Sequence, residues 1–159
     1  MIPFFKVSFS TLIKIYNIVK PIDRQYCIIN PIRIMTKRGV KGNIMSFTKL
    51  QLSEPIQQVL KQNNYTTPTP VQEKVIPLVL EKHDVMAKAQ TGSGKSASFV
   101  LPVLELWSQN IPEGKAKIKV LVLTPTRELT LQVAEYFTTF GKYLSRKPKV
   151  VSVLSLIHI

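Results

Sequence analysis

The chain has 159 residues, 45% of them apolar, enough to bury the core of one globular domain. Its net charge of +13 divides in two: Met1 to Ile44 carries eight Lys or Arg against the single Asp23, net +7, and Met45 onward carries fourteen against eight acids, net +6. That second excess suits a nucleic-acid partner and is also common in ordinary soluble domains, while Cys27, the only cysteine, excludes an internal disulfide and a cysteine-based metal site.

A lone cysteine fits a reducing compartment, so the expected location is cytoplasmic. Lysines at 6, 14 and 20 interrupt every apolar run of the first 44 residues before it reaches the roughly 20 needed to cross a bilayer. The stretch has no long apolar centre or small-residue cleavage site, and a basic organellar targeting peptide stays open. Pro21, Pro31 and Gly39 break any long element. The expectation for residues 1–44 is an extension that is either disordered or translated from upstream of a natural start at Met45.

From Met45 the pattern changes. Ser53 reads as an N-cap, Glu54 and Pro55 suit a first turn, and Ile56, Val59 and Leu60 fall at helical spacing, which predicts a helix over 54–62. Tyr65 to Gln72 holds two prolines and must begin extended. Thr69 then caps a second helix through Val71, Val75, Ile76, Val79 and Leu80, with a kink expected at Pro77.

A short apolar strand at 84–87 runs into Ala89-Gln90-Thr91-Gly92-Ser93-Gly94-Lys95-Ser96, followed by a helix that must absorb Pro102. Strand, glycine turn and helix in that order make a phosphate-binding loop: the glycines let backbone N–H groups converge, and the helix N-terminus adds partial positive charge. Lys95 is placed to reach the β- and γ-phosphates and the Ser96 hydroxyl to hold Mg²⁺. Residues 109–117 read as a surface turn. Val120 to Leu123, apolar without alternation, predicts a strand buried on both faces of a parallel sheet, and Val150 to Val153 predicts a third. The fold class expected is therefore α/β, an open parallel sheet flanked by helices.

Two further positions keep two readings each. Pro125-Thr126-Arg127 puts a cation at the start of a helix, where the dipole disfavours it by a few tenths to about 1 kcal/mol. Either Glu128 compensates locally or a bound phosphate backbone does. Gln72, early in its helix, is either solvated or reads a purine through its carboxamide.

Phe47, then Tyr65-Thr66-Thr67-Pro68-Thr69-Pro70-Val71-Gln72, then Ala89 to Ser96, then Pro125-Thr126-Arg127-Glu128-Leu129 with Gln132, together resemble the start of a DEAD-box ATP-dependent RNA helicase, most like bacterial members. The resemblance covers Met45 to about Val153. It implies a partial RecA-like domain that uses ATP and Mg²⁺, with Gln72 reading the adenine, Phe47 packing against it, Lys95 and Ser96 in the catalytic loop, and Pro125, Thr126 and Arg127 touching the RNA backbone.

The sequence departs from the family's usual residues at Asn64 (glycine), Ser96 (threonine) and Thr130 (alanine). It contains no Asp-Glu-Ala-Asp strand, and Leu154 to Ile159 looks foreign to the family, which leaves His158 without a role. Weak nucleotide binding without RNA-stimulated hydrolysis is expected of these residues. Two rivals are a P-loop NTPase acting on protein or DNA, and a non-enzymatic truncated product that binds nucleotide or RNA.

Overall fold

The computed structural model describes the backbone of residues 4–8, 13–16 and 27–29, and residues 46–109 and 118–154 in full. The helices form where local chemistry puts them. α1 (Glu54–Gln62) buries Ile56, Val59 and Leu60, each side chain contributing about 1.5–3 kcal/mol. It ends in a Schellman motif, with the Tyr65 N–H on the Leu60 carbonyl at 2.9 Å and the Asn64 N–H on the Lys61 carbonyl at 3.2 Å. Asn64 takes φ +59°, a left-handed conformation that glycine adopts without strain, which accounts for the glycine usual at this place. Asn64→Gly should raise stability by several tenths of a kcal/mol, read as a higher urea midpoint at unchanged slope.

α2 (Pro70–Leu80) continues through Pro77, and α3 (Lys95–Gln109) continues through Pro102. α3 is the centre of the molecule. Every residue from Ala97 to Leu106 is buried, with α2 against one side and α4 (Arg127–Phe140) against another. Phe140 closes the outer edge of this core, edge-on to Tyr65 at 5.5 Å and stacked on Tyr136 at 5.6 Å.

The sheet differs from expectation. Its strands are β1 (Phe4–Ser8), β2 (Ile13–Tyr16), β3 (Cys27–Ile29), β4 (Val85–Lys88) and β5 (Val120–Val122), in the order β3-β4-β1-β2-β5. It is mixed rather than parallel: β1 runs antiparallel to both β2 and β4, whereas β3 with β4 and β2 with β5 are parallel. β4 and β5 are thus not neighbours. β5 lies at the sheet edge, and Leu121 on it and Leu123 just beyond it are 41% and 44% exposed instead of buried. Val150 to Val153 is no strand. Without a ladder partner among the described residues it stays irregular, with Val151 and Val153 each 72% exposed. Apart from β1, β2 and β3, residues 1–44 lie outside the described residues, as do 110–117 and 155–159 with His158.

Candidate functional site

β4 ends at Lys88 and α3 starts at Lys95, so the six residues between them must turn sharply at the C-terminal end of the strand. Gly92 at φ +77° and Gly94 at φ +80° make that turn, in a region that costs other L-residues about 1–2 kcal/mol. The Gly94 carbonyl accepts the Ser98 N–H at 3.1 Å and so opens α3, whose first N–H groups have no partner within the helix.

Lys95 folds back over this turn. Its Nζ donates to the carbonyls of Ala89, at 2.9 Å, and Gln90. Burial pushes the ammonium's pKa below the usual lysine value, since desolvation disfavours the charged form. A charged donor held by neutral carbonyls, beside the free N–H groups of a helix start, has more to gain from an anion than from the groups it now touches. Thr91 and Gln90 are exposed, Ser96 is half-buried on the first turn of α3, and the Ser93 hydroxyl is buried without a partner.

Gln72 is not solvated. It is 1% exposed, with Oε1 accepting the Thr69 N–H at 2.9 Å and Nε2 donating to the Gly94 carbonyl at 3.2 Å. Thr69 Oγ1 donates to the Ser93 carbonyl at 2.8 Å. The start of α2 therefore clasps the glycine loop at two successive carbonyls. A Cβ on Gly94 would lie 2.5 Å from Gln72 Nε2 and 3.2 Å from Thr69 Oγ1, so only glycine lets the two segments meet. Phe47 belongs to a short 3-10 helix, Phe47–Leu50, lying against α2; it is 4% exposed in the hydrophobic core.

The second candidate stretch lies at the head of α4. Pro125, Thr126 and Arg127 are all exposed. Thr126 is the N-cap, its Oγ1 accepting the Leu129 N–H at 3.2 Å. Its carbonyl takes the Thr130 N–H at 3.1 Å, Thr130 Oγ1 at 3.0 Å and Thr124 Oγ1 at 3.2 Å, so the turn is held from both sides. Arg127 makes no ion pair among the described residues, and Glu128 is the acid that the first turn of α4 sets beside it. No hydrogen bond among the described residues joins this turn to the glycine loop.

One buried group gave no functional signal in the sequence. Glu105, 3% exposed on α3, accepts the Ser53 N–H on Oε2 at 2.7 Å and Gln109 Nε2 on Oε1 at 3.0 Å. It ties the start of α1 to α3. Ser53 does not cap with its own hydroxyl, which is buried without a partner. The only hint was an acid inside the apolar run Leu104-Glu105-Leu106.

The sequence pattern of DEAD/DEAH box helicases matches residues 69–156, from the α2 clasp through both candidate stretches. The chain belongs to the DEAD/DEAH box helicase family. Among helicase relatives, the ATP-dependent RNA helicase DbpA of Bacillus subtilis is 45% identical over 107 residues, 66% of this chain and 21% of that protein. The ATP-dependent RNA helicase DBP9 of Pyricularia oryzae is 44% identical over 110 residues, 68% of this chain and 17% of that protein. The chain thus spans about a fifth or less of these helicases, and bacterial and fungal members match it alike. Among solved structures, the RNA-helicase Prp28 from Chaetomium thermophilum bound to ADP superimposes with a TM-score of 0.56 at 30% identity, covering 76% of this chain and 30% of that one. Dbp5 of S. cerevisiae, bound to RNA and ADP BeF3, gives 0.52 at 25% identity over 69% of this chain and 30% of that one.

Proposed function

We propose that residues from about 45 onward are the nucleotide-binding part of an ATP-dependent RNA helicase of bacterial type, acting in the cytoplasm. In this reading ATP binds at Ala89 to Ser96, and Pro125, Thr126 and Arg127 take the RNA backbone without base preference. The observation that carries it is Lys95, a partly desolvated ammonium folded over a turn with two left-handed glycines at the start of a 15-residue helix. Phosphate oxygens would replace the carbonyls of Ala89 and Gln90 as its partners, and the N–H groups at the head of α3 would complete the cradle.

Ser96 would hold Mg²⁺. No group of three or more His, Cys, Asp or Glu that could hold a metal occurs among the described residues, so the donor set fits an ion carried mainly by nucleotide phosphates and water. To read adenine, the Gln72 carboxamide would use the acceptor and donor positions left beside its bonds to Thr69 and Gly94, Oε1 accepting from the exocyclic amine and Nε2 donating to a ring nitrogen. Phe47, against α2, would support the base from the core side.

The test is displacement of a fluorescent ATP analogue from the purified chain. ATP should compete with Mg²⁺ present at lower concentration than GTP. Equal competition by GTP would shift the reading to a P-loop NTPase without adenine recognition, and absence of saturable binding would overturn it.

A further inference from the structure

Beyond the turn at Arg127 the surface holds a second concentration of positive charge, at the other end of α4. Lys142, Arg146, Lys147 and Lys149 fall within eight residues, all exposed, and no acid occurs anywhere from Tyr136 to Ile159. None of the three lysines has an ion pair among the described residues. A run of like charge is ordinarily a solvated and mobile surface. This one is built differently.

The turn is fastened at four points. Leu144 is 5% exposed in the core, and Pro148 packs so closely on Gly141 that a Cβ there would lie 2.9 Å from Pro148 Cδ. The Tyr143 hydroxyl donates to Gln62 Oε1 at 2.7 Å, and Trp107 Nε1 donates to the Arg146 carbonyl at 3.3 Å. Aromatic rings are interleaved with the cations: the Arg146 guanidinium lies 5.9 Å from the Trp107 ring centre and Lys142 Nζ lies 5.3 Å from that of Tyr143. Cations on a held turn, set beside aromatic faces, are what single-stranded nucleic acid needs, phosphates for the first and bases for the second.

We infer that the turn Lys142–Lys149, with Trp107, is a second RNA-binding surface: Lys142, Lys147 and Lys149 contact phosphates, and a base stacks beside the Arg146–Trp107 pair. It is separate from the Arg127 turn, because the 14 residues of α4 between them span about 20 Å. The inference rests on the reading of this chain as an RNA binder.

Trp107 is the only tryptophan, so its fluorescence reports this surface alone. The experiment titrates the full chain with a labelled oligouridylate of about a dozen nucleotides over a range of salt, following anisotropy and Trp107 emission together. The parent chain should bind with a change in Trp107 emission. The triple variant K142Q/K147Q/K149Q should lose that change and lower the slope of log affinity against log salt by about 2, three phosphates at about 0.7 each. Arg127→Ala should lower the slope by about 0.7 and keep the Trp107 signal. A triple variant with unchanged slope, or RNA binding that leaves Trp107 emission unmoved, overturns the second surface while leaving the Arg127 reading intact. An equal Trp107 response to polyglutamate of matched charge would assign the surface to acidic protein instead and also overturn it. No RNA binding by the parent chain overturns both readings.

Discussion

Lys95→Ala should weaken binding of a fluorescent ATP analogue by about 10- to 100-fold while leaving the chain folded. The size follows from the net worth of a charge-assisted hydrogen bond, about 1.5–3 kcal/mol, at roughly 1.4 kcal/mol per tenfold. The chain should stay folded because the ammonium's present partners are two loop carbonyls, those of Ala89 and Gln90, near solvent. The pH dependence carries the same assignment further. Desolvation lowers the Lys95 pKa in the folded chain below the roughly 10.4 of an unfolded lysine. Between those two values the unfolded state binds more protons than the folded one. Stability therefore rises with pH across that window, and below it the charged form costs a little, an effect kept small by the side chain's exposure. Nucleotide binding runs the other way: phosphates favour the ammonium, so affinity should fall as pH rises through the lowered pKa, with proton uptake on binding near it. The Lys95→Ala chain should lack that component. An identical alkaline fall in parent and variant, followed by titration calorimetry in two buffers, would remove Lys95 from the phosphate site.

Gly94→Ala should cost about 2–4 kcal/mol and Gly92→Ala only about 1 kcal/mol, read as shifts in the urea midpoint. Both glycines are left-handed, so both variants carry the backbone strain. They differ in what the new methyl meets. At Gly92 there is nothing within 4 Å; at Gly94 it lies 2.5 Å from Gln72 Nε2. Although that atom ends a flexible side chain, Gln72 is 1% exposed and bonded at both ends, and moving it breaks the clasp and strands a buried amide. Gly94→Ala should accordingly weaken nucleotide binding as well, whereas Gly92→Ala should leave it closer to the parent. Equal destabilisation by the two substitutions would mean that the start of α2 does not bear on the loop.

The contrast between these two glycines shows how far sequence reasoning reaches. Local rules placed α1 at 54–62, α2 behind its extended proline segment with Thr69 as its cap, the turn before α3, and the start of α4 near Arg127, because each depends on groups within a few residues of one another. The sheet was misread because strand order and burial depend on partners far along the chain. An apolar run such as Val120 to Leu123 reads the same at an edge as at a centre, and Val150 to Val153 reads as a strand even where nothing pairs with it. Gln72 was undecidable for a related reason: a carboxamide's partners, here residues at separations of 3 and 22, leave no periodic trace.

By itself the sequence determined the glycine turn before α3, the helix boundaries and the turn at Arg127, since glycine conformation, capping and charge at a helix end act within one or two turns of chain. Only the tertiary structure decided that α2 clasps that loop at Ser93 and Gly94, that Glu105 ties α1 to α3, and that Arg146 lies over Trp107. Each of these is a contact between surfaces distant in sequence, fixed by how α2 and α4 pack on the buried body of α3.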